Sequence, residues 1–147
     1  MMTNKQQVNV LGTAIRIMKF QQDDYISLTD IAKHKGDKSD FIIQNRMRNR
    51  NTIEFLWLRE KLYNPDFNPL EFEGFRKEAG LNAFLMSPKK WITTTQAIGI
   101  LSKSGKYGWT FAHKDIALEF AIGLNLLHND FVLIQMILSL LKVAWSL

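Results

Sequence analysis

The chain has no cysteine. Disulfides and cysteine-ligated zinc are therefore excluded, and a reducing cytoplasm is the compartment that fits. Proline is scarce: two of the three fall within Asn64–Pro69 and the third is Pro88. The N-terminal residues contain no apolar core of the kind a secretory signal needs. The apolar C-terminal part is interrupted by Asp130 and Lys142, and its longest charge-free run, Phe131–Leu141, is 11 residues. A membrane-spanning helix needs about 20. The most informative absence is of negative charge. The 36 residues from Ala79 to Lys114 hold no Asp or Glu, yet they hold five lysines, His113 and the aromatics Phe84, Trp91, Tyr107, Trp109 and Phe111. Such a segment folds and leaves a positive surface, which suits a polyanion.

What is present bounds the rest. A chain of 147 residues suffices for one domain with a real core. Its 46% apolar content supports a packed interior. The net charge of +5 is modest, so its distribution matters more than its total. A second dense positive spot is Arg46-Met-Arg-Asn-Arg50.

Val8 to Phe20, with Gly12 inside it, reads as a strand or hairpin arm, and Tyr25-Ile26 as the return strand. Ser27 to Gly36 reads as a short helix capped by Ser27 and ended by Gly36. Asp40 is placed to cap a second helix running to about Arg50, with Phe41, Ile43 and Met47 as its core side. Asn51 with Glu54 suggests a further helix start, and Phe55, Leu58 and Leu62 share one face of it. Asn64–Pro69 is a loop. A short helix follows over Leu70–Ala79, and Ser87-Pro88 opens another carrying Trp91 and Thr95. Residues 98–112 read as a hairpin around Ser104-Gly-Lys106, and His113–Ala121 turns helical.

Two short helices joined by a polar turn, with a hairpin downstream, give an α+β class with a winged helix-turn-helix-like core. The reading helix, Asp40–Arg50, offers Gln44, Asn45, Arg46, Arg48, Asn49 and Arg50. Arginine pairs with guanine, and Asn or Gln with adenine. Lys89, Lys90, Lys103, Ser104, Lys106, Tyr107 and Lys114 suit the phosphate backbone. The expected partner is double-stranded DNA, with no small-molecule substrate, cofactor or metal. Catalysis is not expected. A metal-dependent nuclease needs clustered carboxylates, and the close pairs Asp23-Asp24 and Glu71/Glu73 are badly placed to converge. His113 is read as structural, Asp115 as a helix-start charge. The other alternative is a protein-interaction module using the same basic face.

The blocks Tyr25–Ala32, Ile42–Leu56, Ala79–Phe84, Ser102–Gly108 and Thr110–Ala117 resemble, in order, the KilA-N domain of phages, bacterial genomes and large DNA viruses. The resemblance covers residues 8–121. It implies DNA binding by a mixed α/β winged helix-turn-helix related to the APSES domain of fungal transcription factors. On that basis Asp40–Arg50 is the reader and Ser102–Thr110 the wing, in a phage- or mobile-element-derived regulator of transcription acting at the bacterial nucleoid. Trp57 stands where the family often has glycine, Arg59 near where it has tryptophan, and Trp109 where it usually repeats glycine. Past Ala121 the family's tryptophan, proline and charged helix are replaced by an apolar tail, residues 122–147. A reading-frame slip is one account of that tail, tested by the other frames past codon 121. A packing or dimerisation helix with Phe131, Ile134, Ile137, Leu138 and Leu141 on its sticky side is another, giving a homodimer. A membrane-surface helix is a third, weakened by the tail's single lysine.

Overall fold

Alternating segments open the chain as a β-meander. β1 (Met2–Val10), β2 (Thr13–Phe20) and β3 (Asp23–Ser27) pair antiparallel. Two-residue turns at Leu11-Gly12 and Gln21-Gln22 join them, with all four residues at positive φ, the hairpin geometry that matches strand twist. This computed structural model describes residues 2–81, 84–128 and 130–144. Asn82 and Ala83 of the 79–84 block, and the last three residues of the tail, lie outside them.

The strands β4 (Ile100–Lys103) and β5 (Trp109–His113) form a hairpin, and β5 also pairs with β3. The result is a five-stranded antiparallel sheet in the order β1-β2-β3-β5-β4. Ile15, Ile17, Ile26, Ile100 and Ala112 share one face and enter the main core. Met18, Tyr25 and Phe111 form a smaller cluster on the other, extended by Phe20, Leu101 and Trp109. Trp109 packs edge-on against Phe111, with ring centroids 5.3 Å apart, so the indole lies down on the sheet.

Seven helices are described. α1 (Leu28–Lys33) begins at Ser27, whose Oγ accepts from the Asp30 amide. α2 (Ser39–Met47) follows a tight turn. α3 (Arg50–Tyr63) and α4 (Pro69–Glu78) flank the expected Asn64–Pro69 loop. α5 (Pro88–Thr95) is capped by Ser87. α6 (Lys114–His128) and α7 (Phe131–Ala144) form a helical hairpin, with α6 over β3 and β5 and α7 over β1. No helix among the described residues is long and apolar enough to cross a membrane.

Several expectations are corrected. The helix expected over Asp40–Arg50 is two helices. Asn49 is extended (φ −72°, ψ 134°) and its side chain accepts from the Asn51 amide, so it caps α3 and breaks the run. Asn51 therefore does not start that helix. Asp40 is not a cap either: the cap position is Lys38, which makes no side-chain cap bond. Phe41 is not core but 68% exposed, whereas Ile43, Met47, Trp91 and Phe111 are buried. Of the three apolar residues on one face of α3, Phe55 is partly buried against the core, whereas Leu58 and Leu62 are exposed. The buried side of α3 carries Thr52, Ile53, Leu56, Arg59 and Glu60. In the tail, Leu133, Met136 and Leu140 are fully buried in the main core, while Phe131, Ile134, Leu138 and Leu141 stay exposed and Ile137 is partly buried.

Candidate nucleic-acid interface

The hairpin is fixed to the helical body at two points, one near its loop and one at its base. The Thr110 amide on β5 donates to Thr29 Oγ1 on α1 at 2.9 Å. Glu60 on α3 is wholly buried. It accepts from the Ile98 and Gly99 amides at 2.9 and 2.7 Å, just before β4, and from Asn64 Nδ2 at 2.9 Å. Three donors satisfy a carboxylate that would otherwise be costly to bury. A Cβ on Gly99 would lie 2.6 Å from Glu60 Oε2, so only glycine permits this approach. Tyr25 Oη donates to the Ile98 carbonyl at 2.8 Å, and burial pushes its phenol up to about 12.

Between α2, the start of α5 and the hairpin lies a cavity of about 230 Å³. Gln44, Lys89, Lys103 and Ser104 line it, with Ser87, Ser102 and Gly105. Asp40 is the one carboxylate on its wall, in the first turn of α2 where the helix dipole favours it. Beyond the cavity the loop 104–108 carries Lys106 and Tyr107, both exposed, with Lys106 Nζ 5.6 Å from the Tyr107 ring centroid. Along α2, Phe41, Gln44 and Asn45 are exposed on one face, at i, i+3 and i+4. The carboxylate-free segment thus forms α5, the hairpin and its tip, and walls one side of the cavity.

The model of the KilA-N domain matches residues 9–133. The chain belongs to the KilA-N family. Neither the curated proteins nor the solved structures contain a match to it. KilA-N is a DNA-binding family, and the described part of this chain is a mixed α+β example of it.

Within the KilA-N fold the thirteen residues singled out from sequence divide. Gln44, Lys89, Lys103 and Ser104 meet at the cavity, Asn45 lies beside Gln44, and Lys106 and Tyr107 stand on the hairpin loop. The others are elsewhere or engaged. Arg46 turns into a second groove, between α3 and α6, where it donates to Thr52 Oγ1 at 3.1 Å and to Glu119 Oε1 at 3.3 Å. Its side chain is 12% exposed. Gly123 makes room for it: a Cβ there would fall 2.1 Å from Arg46 Nη2. Burial raises the Glu119 carboxyl, and Arg46 opposes that rise. Asn49 caps α3 and lines the same second groove. Arg50 lies 3.7 Å from Glu54. Arg48 Nη2 donates to the Leu81 carbonyl at 2.7 Å, and the Arg48 carbonyl accepts from the Gly80 amide, so Arg48 ties the loop after α4 to α2. Lys90 Nζ donates to the Leu85 carbonyl over the rings of Phe75 and Phe84. Lys114 begins α6 at the end of β5 opposite the hairpin loop.

His113 is buried, and its Nδ1 accepts from the Asp115 amide at 3.3 Å. Burial and then the Arg59 guanidinium hold its pKa below the ordinary value. Asp115 stands in the first turn of α6 as expected. No group of three or more His, Asp or Glu among the described residues is placed to hold a metal ion. Sequence reasoning missed Glu60 and Thr29, which set the hairpin, and the outward position of Phe41. The only signal for Phe41 was its spacing from Gln44 and Asn45.

Proposed function

We propose that the chain binds double-stranded DNA without catalysis, as a regulator of transcription. α2 offers Gln44 and Asn45 to base edges in the major groove, and Lys89, Lys103, Ser104 and Lys106 hold the flanking phosphates. The observation that carries this reading is the cavity that brings Gln44 of α2 together with Lys89, Lys103 and Ser104 in a KilA-N chain. Arg46, Asn49 and Arg50 leave the contact set, because their side chains cap helices or face carboxylates. Selection from a random duplex pool, with excess nonspecific duplex as competitor, tests the reading. Enrichment of one motif supports it. Recovery of no duplex sinks it and leaves the protein-interaction reading.

A second copy of the chain is the partner that α7 suits. Phe131, Ile134, Leu138 and Leu141 are exposed at spacings of three, four and three residues, the a and d positions of a heptad seam. No charge interrupts the row, so two copies meet without repulsion. Sedimentation of the chain at rising concentration tests this, and a monomer throughout overturns it.

A further inference from the structure

Phe41 is a large apolar side chain in the first turn of α2, and it is 68% exposed. The core residues of that helix, Ile43 and Met47, are buried on the opposite side, so its outward position is fixed by the helix itself. Gln44 and Asn45 share its face. Beside that face lies the cavity with Lys89 and Lys103. In helix-turn-helix proteins the first turns of the reading helix touch base edges. A major groove is lined by hydrogen-bonding groups with one apolar exception, the C5 methyl of thymine. The same base pair presents adenine N6 and N7, which Gln or Asn pairs with.

Resting on the DNA-binding reading above, we propose that Phe41 is a specificity-determining residue that packs on a thymine methyl. It acts beside an adenine contacted by Gln44 or Asn45, so the chain prefers a thymine at a fixed step of its site. The surrounding cations bring the duplex to the helix whatever its sequence, and the phenyl ring discriminates within it.

The test uses the full chain and the duplex enriched from the random pool. Each thymine is replaced in turn by deoxyuridine, which keeps base pairing and removes only the methyl. Wild type is expected to lose roughly fourfold in affinity at one or two positions, the scale of one buried methyl group. Phe41→Ala is expected to bind thymine and uracil forms alike, and Phe41→Leu to keep part of the preference. Because Phe41 is exposed, Phe41→Ala keeps its fold, which circular dichroism checks. Uniform tolerance of uracil by wild type overturns the inference while leaving salt-dependent duplex binding in place. So does a Phe41→Ala variant that still prefers thymine. Absence of duplex binding at any salt concentration overturns both this inference and the reading it rests on.

Discussion

Arg46 and Gln44 sit two residues apart on α2 and do different work. Arg46 faces inward on Glu119 and Thr52, and Gln44 faces the cavity. Arg46→Ala leaves the Glu119 carboxylate without its cation and is expected to cost roughly 2 kcal/mol of stability by urea unfolding. The selected DNA motif should stay the same. Gln44→Ala is expected to leave stability intact, cost about 1–3 kcal/mol of binding and relax preference at one base pair. An unchanged motif and affinity would remove Gln44 from the readers. A sequence lists arginines without saying which way they turn. The glycine that admits Arg46 is 77 positions downstream at Gly123, so its inward direction was not legible. The same holds for Glu60, whose donors Ile98 and Gly99 come from a distant segment. Glu60→Ala strands those amides and is expected to cost about 3 kcal/mol, read as a fall in the urea midpoint.

At the scale of elements, the start signals were legible where a side chain caps its own helix. Ser27 and Ser87 are caps as expected, because those bonds are local and need no tertiary partner. The end of α2 was not legible. The arginines there continue a helix by propensity, and Asn49 between them caps the next one instead. Leu58 and Leu62 have helical period but face out, since the buried side of α3 carries Ile53, Leu56 and Glu60. The hairpin is an element whose charge is separable from its fold. Lys106→Ala should weaken binding to all duplexes alike and flatten the plot of log affinity against log salt by about one unit. An unaltered slope removes Lys106 from the contacts. In α7 the two rows give opposite outcomes. Leu138→Asp should abolish dimer in sedimentation and keep the monomer folded, whereas Leu140→Ala should lower stability by about 2–5 kcal/mol. The inner row of the tail is buried in the main core, and the family match runs past Ala121 to residue 133.

Across the whole molecule, α7 is tied back to α1 by Asp130. This residue accepts from His34 Nε2 at 3.1 Å, from Lys35 Nζ, and from the Val132 amide at 2.8 Å. The Lys35 hydrogen bond above all holds its carboxyl well below the usual range. A depressed acid contributes stability above its unfolded value, near 3.9, and loses it as pH falls through the folded one. His113 acts higher. Its lowered pKa means the unfolded chain takes up the proton first, so stability declines as pH drops below about 6.5. Glu119, raised by burial, works against these losses, because its contribution is present at low pH and fades as pH rises through its folded value. Thermal unfolding followed between pH 8 and 2 should therefore fall in two stages. His113→Gln should remove the upper stage and Asp130→Asn the lower. A single decline unaffected by either variant would contradict this assignment.

The pins at Thr29 and Glu60 have a mechanical consequence. The loop that carries Lys106 is braced from two helices, so its offset from α2 is set before any duplex arrives. On the DNA-binding reading proposed above, the domain works as a fixed gauge. DNA whose groove spacing already matches the gauge pays no bending energy, and stiffer or wider tracts are penalised even at base pairs that no side chain touches.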